Sequence, residues 1–446
     1  MRTIEGFGNL IAHGGQAALL AIGFLLIALL ARQGRPALAI WAVAAIIGAA
    51  LFAYLWPTSD PDRIRFKDFL WAYYPAGRDA AFDMAQFESN LRSGIEGFVN
   101  LPIVAFVFTP FALFEAHRAA LLYWAFGLAA AALACLLLIR HHRLSVRDGA
   151  GLAIAFAGFG PLLYSLKEGN TSHVLLAALI GAIMLAARGR EIAAGALFGL
   201  AAVIKPPLLI VGAVAALRGR WRVVMGGAAV CAGAGLASLA VFGWDLHVLW
   251  FEEFRAFSGA PLKGFNNQSL AAAIARAFAG PGSFLDWDIA APPPAATALV
   301  AALSLGVVGF GVWAAAVAPQ RAPSDAEAFE LEVLMAITAA LIVSTVSWSH
   351  YHVWLLLPLT YLFAHRQRLG AHPAAVYALV GAYVLAAPSV FLSRPMREGA
   401  YEPFSALLVS HLLISAFITF ALLALLRAGL LSPPTARAHA HPAAQA

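Results

Sequence analysis

Apolar residues run along this chain in unbroken blocks, and short polar or basic stretches separate them. Blocks of this kind cover Ala17–Ala31, Ala37–Trp56, Ala119–Ile139, Gly149–Tyr164, Ser172–Ala187 and Val223–Gly243. They recur over Ala295–Val317, Val333–Val346, Val353–Ala364, Pro373–Leu392 and Phe404–Leu426. Many approach the ~20 residues that cross a bilayer's hydrocarbon core as a helix. Lipid offers no hydrogen bonds, so a spanning backbone must satisfy itself as a helix or as a closed barrel. Barrel strands alternate apolar and polar positions; these blocks do not, so the pattern predicts helices.

Two stretches break the pattern. Ile192–Leu217 is interrupted by Lys205-Pro206-Pro207 and predicts a bent hairpin. Val99–Phe114 carries Pro102 and Pro110, and either dips in and returns or spans. The expectation is roughly 11 to 14 passes, the shorter ones buried inside the bundle. Basic connectors follow many blocks: Arg32/Arg35, Arg140-His141-His142-Arg143, Arg188/Arg190, Arg218/Arg220/Arg222, Arg321 and Arg366/Arg368. Read as the cytoplasmic side, they send Pro57–Phe98, Ser165–Thr171, the Lys205 turn, Trp244–Pro294, Ser347–His352 and Ser393–Pro403 to the outer face. No internal repeat is visible. The expected organisation is one integral-membrane domain over residues 1–431 and a disordered Pro/Ala/His-rich tail over 432–446. The first span is expected to stay, because the N-terminus lacks a cleavable signal pattern.

Composition sharpens this picture. Of 446 residues, 62% are hydrophobic and 12% charged, and the mean hydropathy is +0.80. Those values exclude a soluble enzyme, a coiled coil and a disordered chain. The net charge of +6 sits in connectors between apolar blocks, so it reads as a topology signal and not as a nucleic-acid surface. Cys135 and Cys231 both lie in apolar blocks and read as small core residues.

Walker loops, strand-anchored GxGxxG, HExxH and CxxC patterns are absent. What remains is a set of polar residues at membrane depth or its outer edge, where they are costly and mark function. Lys67-Asp68-Phe69 precedes Tyr73, Tyr74, Gly77 and Arg78; Asp68 is either a general base or half of a surface ion pair with Lys67 or Arg65. Ser165–Thr171 is a polar turn whose Asn170 either binds sugar or phosphate or belongs to a turn with a helix cap after it. Lys205, flanked by apolar residues, either holds a lipid phosphate or snorkels to the interface. Asn266-Asn267-Gln268-Ser269 suits sugar hydroxyls, and equally a plain turn. Ser347-Trp348-Ser349-His350-Tyr351-His352 is either an interfacial anchor or a phosphate- and sugar-binding segment. No metal site is expected there, since no carboxylate or third His lies nearby in sequence.

In this order, the pieces resemble membrane glycosyltransferase family 87, a group of polytopic class C glycosyltransferases that includes polyprenol-phosphate-mannose-dependent mannosyltransferases. The resemblance runs from about Phe66 to Pro358. It rests on Asp68-Phe69…Tyr73…Gly77, Asn100-Leu101-Pro102…Thr109-Pro110-Phe111 and Gly169-Asn170, where the family has Gly-Gln. It continues through Arg188-Gly189-Arg190…Ala194-Gly195…Lys205-Pro206 and Asn267-Gln268-Ser269-Leu270…Arg276. It ends in Ser347-Trp348-Ser349-His350-Tyr351, where the family's second His is a Tyr and His352 falls one place late.

The resemblance implies an all-α polytopic transmembrane bundle of the class C type, with outer-face loops carrying short helices. It implies an inverting hexosyltransferase, with mannose the leading hexose. The sugar would pass from a polyprenyl-phosphate donor to a lipid or glycan acceptor on the outer face of the inner membrane. Asp68 would be the catalytic base; Lys205 and His350 would bind the donor phosphate. Tyr73, Arg78, Asn170, Asn267, Gln268, Trp348, Tyr351 and His352 would contact sugar or acceptor. No metal and no cofactor beyond the donor are implied, and the partners are membrane lipids, donor and acceptor. Two rival readings are a non-catalytic lipid carrier or flippase, which should show paired halves, and a membrane scaffold, which would scatter these polar residues.

Overall fold

In the computed structural model the described residues are 2–58, 65–94, 97–280, 282–287, 289, 291–317, 324–370, 372–388 and 408–431, with backbone alone for 2–13, 57, 58, 257 and 317. Ser393–Pro403 and the 432–446 tail lie outside them. Among the described residues the chain is helical, with no strand beyond a single antiparallel bridge between Asn267 and Trp348. The protein is an all-α polytopic bundle.

Five helices are long and apolar enough to cross a membrane. They are α1 (Arg2–Arg32, apolar from Gly14), α2 (Ala37–Thr58), α5 (Ala116–His141), α11 (Trp221–Ser258) and α13 (Pro294–Val317). A bent pair, α6 (Val146–Ala157) and α7 (Gly160–Glu168), meets at 50° and is either a sixth, broken span or a re-entrant loop. Pro161 near the start of α7 explains the break, since it supplies no N–H to continue α6. Shorter apolar helices complete the bundle: α8 (Ser172–Ala187), α9 (Glu191–Ile204), α10 (Ile210–Leu217), α12 (Leu270–Ala279), α17 (Pro373–Ala386) and α18 (His411–Arg427). So fewer blocks reach full spanning length than the 11 to 14 expected passes. α14 (Asp325–Val343), though buried over most of its length, begins with four acidic residues in eight.

The two ambiguous stretches resolve simply. Between α4 (Met84–Arg92) and α5, residues 99–114 hold two 3₁₀ turns, Pro102–Val107 and Thr109–Leu113. At ~2.0 Å per residue these fall short of a ~30 Å core. Around Lys205, α9 stops at Ile204 and a 3₁₀ turn, Pro206–Leu209, leads into α10. α11 crosses the expected boundary at Gly243, where φ of 73° and ψ of 171° kink it before it continues as helix. The presumed loop before α5 is also largely helical: a π-turn Phe69–Tyr73, α3 (Tyr74–Phe82) and α4.

The tightest helix pair is α9 with α11. A Cβ on Gly195 would meet the Val223 carbonyl oxygen at 2.0 Å, and one on Gly199 would meet the Gly227 oxygen at 2.6 Å. Small residues let the two backbones touch, the usual way helices associate where lipid removes any hydrophobic drive. This contact fixes α9 and therefore its C-terminal residue, Lys205.

Candidate functional site

Asp68 sits where the chain turns into the π-turn. Phe66 adopts a left-handed φ of 59°, uncommon for a bulky side chain, and its N–H donates to the Lys167 carbonyl at 2.7 Å. That bond hangs the turn on the C-terminus of α7. Aromatic packing locks the following residues. Phe69 stacks on Tyr123 of α5 with ring centroids 4.8 Å apart, and Tyr73 stacks on Phe108 at 4.6 Å. Single π-turns of this sort concentrate at functional sites.

Asn170 meets this turn from α7. Gly169 ends the helix at φ of 67°, the left-handed position glycine fills without strain, and a Cβ there would lie 2.6 Å from that of Phe69. The Asn170 side chain is fixed from both ends. Its Oδ1 accepts from the Ser172 N–H (3.1 Å) and hydroxyl (2.8 Å). Its Nδ2 therefore faces the π-turn, donating to Asp68 Oδ2 at 2.6 Å and to the Tyr73 hydroxyl at 3.3 Å. Tyr123 donates to the Asn170 carbonyl at 3.3 Å. Among the described residues Asp68 Oδ1 receives no hydrogen bond. Burial pushes the Asp68 carboxyl above its ordinary range, while the Asn170 hydrogen bond and the charges of Lys205, Lys67 and Lys167 pull it down.

Lys205 enters from α9. Pro206 and Pro207 bring no N–H groups, so the last α9 carbonyls need other donors. Asn100 supplies one, its Nδ2 bonding the Ile204 oxygen at 2.6 Å. The ammonium is buried, donates to the Tyr351 hydroxyl at 3.3 Å and lies 4.6 Å from the centre of that ring. Tyr351 stacks on Trp354, whose Nε1 donates to the Ser172 carbonyl at 3.0 Å. A continuous chain of contacts thus runs Asp68–Asn170–Ser172–Trp354–Tyr351–Lys205.

His350 precedes Tyr351 on the same 3₁₀ turn, Ser349–Leu355. It is 4% exposed, its ring lies 5.0 Å from that of Tyr351 and 6.1 Å from that of Tyr164, and neither nitrogen has a hydrogen-bond partner among the described residues. An imidazole buried with both nitrogens unsatisfied is costly, unless a ligand completes it.

The remaining sequence candidates fall in different places. Asn267 and Gln268 are fully buried beside the Ser347–His352 segment. Asn267 Oδ1 accepts from the Ser347 N–H at 2.9 Å, and its Nδ2 donates to the carbonyls of Leu262 and Thr345. Gln268 Nε2 donates to the Phe265 and Val409 carbonyls. Their donors are therefore spent on backbone carbonyls, one of them Thr345 just before the segment that carries His350. Arg276 works the same way, donating to the carbonyls of Lys263, Gly264 and Asn267. Trp348 stacks on Trp287 at 6.3 Å. His352 is buried, with Nδ1 3.3 Å from the Trp348 carbonyl. Arg78 is half-exposed on α3 and pairs with Asp79 at 2.7 Å, outside the chain of contacts. Tyr123 and Ser172 fix Asn170; the sequence pattern gives Ser172 only as a candidate helix cap, Asn100 only as part of a motif, and Tyr123 no role. A lone tyrosine hydroxyl in an apolar block was the available signal for Tyr123.

The arrangement pairs a carboxylate with a cation and an imidazole around one locus, which suits proton removal beside a developing phosphate charge. No curated protein and no solved structure matches this chain. The family model of glycosyltransferase family 87 matches residues 98–345, taking in Asn170, Lys205, Asn267 and Gln268 and stopping short of Asp68 and His350. That match covers more than half of the 446 residues, and it falls on a polytopic helical bundle: the chain belongs to glycosyltransferase family 87, a family of membrane glycosyltransferases.

Proposed function

We propose that the protein moves a hexose, mannose first among the candidates, from a polyprenyl-phosphate donor to a hydroxyl of a lipid or glycan acceptor, with inversion, on the outer face of the inner membrane. Asp68 takes the proton from the acceptor hydroxyl as its oxygen bonds the anomeric carbon. The bond from that carbon to the phosphate oxygen breaks, and its electrons leave on the lipid monophosphate. Lys205 and His350 receive the new charge as fixed hydrogen-bond donors. No step calls for a metal or a further cofactor.

One observation carries this reading. Asp68 presents an unoccupied oxygen, held by Asn170, at one end of a short chain of contacts whose other end is a buried lysine beside an imidazole with no hydrogen-bond partner among the described residues. The test uses detergent-purified protein, a panel of polyprenyl-phosphate sugars and mass spectrometry of the lipid products. Transfer is expected from at least one lipid-linked hexose. Asp68→Asn should lower the rate by about 10²- to 10⁴-fold, the usual worth of a positioned base, while the protein elutes as the wild type does. Full activity of that variant removes Asp68 from the reaction.

A further inference from the structure

A second cluster lies at the other end of the bundle. α5 begins near the Asp68 turn, where Tyr123 meets Phe69, and ends at His141, 18 residues and ~27 Å further on. There it meets the first turns of α14 and the end of α15 (Leu356–Ala364). His141 Nε2 stands 2.9 and 3.0 Å from the two Glu330 oxygens. His142 Nε2 stands 4.0 Å from Glu330 Oε1. The three ligand-type atoms lie within 4.8 Å of one another, and each side chain is largely shielded, at 14%, 5% and 11% exposure. His365 packs edge-on against His142, with ring centres 5.8 Å apart. Its Nδ1 is 2.9 Å from the Tyr361 carbonyl, which fixes that nitrogen as the protonated one and leaves Nε2 a lone pair.

A simple ion pair with Glu330 would need one imidazole. Here two adjacent imidazoles crowd one carboxylate and a third closes the edge. The nearby cation that would compete, Arg368, is already paired with Glu327. Two imidazoles and one carboxylate, with a further imidazole or water in the fourth place, is a donor set of the kind zinc takes. Ligand atoms ~2.0–2.2 Å from such an ion are ~3.3–3.5 Å apart, so the His141–Glu330 pair needs to part slightly while His142 moves in by about half an ångström or more. We propose that His141, His142 and Glu330 bind a divalent transition-metal ion of zinc's chemistry, with His365 at the fourth position. The ion would clamp the end of α5 to α14, on the face opposite the transfer site.

Cobalt(II) is the probe, because its tetrahedral complexes absorb visibly and zinc is silent. Full-length protein without a polyhistidine tag, stripped with chelator, is titrated with Co²⁺ and then with Zn²⁺. One equivalent should bind with d–d absorption, Zn²⁺ should displace it, and Zn²⁺ should raise the thermal midpoint. Glu330→Gln and His142→Gln, each checked for a monodisperse elution peak, should weaken Co²⁺ at least about tenfold and lose the thermal response. Absence of a stoichiometric absorbing species in the wild type, or equal binding by wild type and both variants, overturns the proposal.

Discussion

The Asp68 carboxylate is useful as a base only when ionised, and its surroundings pull on that state in opposite directions. Burial favours the neutral form; Asn170 and three lysines favour the charged one, and burial prevails. The sign for activity follows. A base with a raised pKa is protonated, and inactive, over a wider acid range than a free carboxyl. The acid limb of kcat/KM should therefore fall above the ordinary carboxylate value of 3.8. Asn170→Ala removes a donor that stabilises the charged form, so it should carry that limb to still higher pH. Its maximal rate should also drop, because Oδ2 loses its anchor. A pH profile of transfer by wild type and variant reads both effects. A limb that stays in place would mean that Asn170 does not touch the titrating group. The residue-level chemistry was legible in part. A Lys before two prolines stands out in an apolar chain, whereas Asp68, in a charged run with Asp60, Asp62, Arg63, Arg65 and Lys67, was singled out as a base by the family resemblance. Their partnership was not legible, since Asn170 is 102 residues from Asp68 and Tyr351 is 146 from Lys205.

Short elements, not the long spans, set the geometry. The α7 C-terminus carries Asn170, receives Phe66 through a backbone bond and packs against Phe69, all within four residues. Gly169 is the pivot. Its φ of 67° strains any L-side chain, and a Cβ would press on Phe69 at 2.6 Å. Gly169→Ala should cost about 1–3 kcal/mol from the left-handed backbone and the overlap together. It should also displace Asp68, so activity falls beyond what the stability loss explains. Gly219→Ala is the control, since Gly219 has a like φ of 67° and open space around it. It should lower the thermal midpoint modestly and leave transfer unchanged. Equal activities for the two variants would separate the α7 turn from catalysis. At this scale, apolar blocks announced the helices, and the paired prolines announced the break at Lys205. The short helices of the loop before α5 fit the outer-face loops with short helices that the family resemblance implied, but their positions were not legible, because α3 and α4 are short and mixed in polarity and carry no block-length signal. The amides of Asn267 and Gln268 likewise look like ligand contacts in sequence; only the fold shows that their donors serve backbone carbonyls.

At the scale of the whole molecule, the polar groups divide between two ends of one bundle. Asp68, Asn170, Lys205 and His350 come from segments where α7, α9 and α14 meet turns. The His141–Glu330 cluster and the arginine pairs Arg218–Asp325 and Arg220–Glu191 gather where α5 ends and α14 begins. The proposed orientation makes that second end, with its basic residues, the cytoplasmic one by the charge bias of short loops, and would leave the proposed transfer site outside. This orientation makes a definite prediction for single cysteines. In a background with Cys135 and Cys231 replaced by serine, Ala85→Cys on exposed α4 lies on the Asp68 side, since no described span separates it from that turn. Arg188→Cys, exposed after α8, lies at the other end. A membrane-impermeant maleimide added to intact spheroplasts should label the first at once and the second only after the membrane is opened. The reverse pattern would put Asp68 inside, where an acceptor on the outer surface cannot reach it, and the donor and acceptor would have to be sought among cytoplasmic lipids.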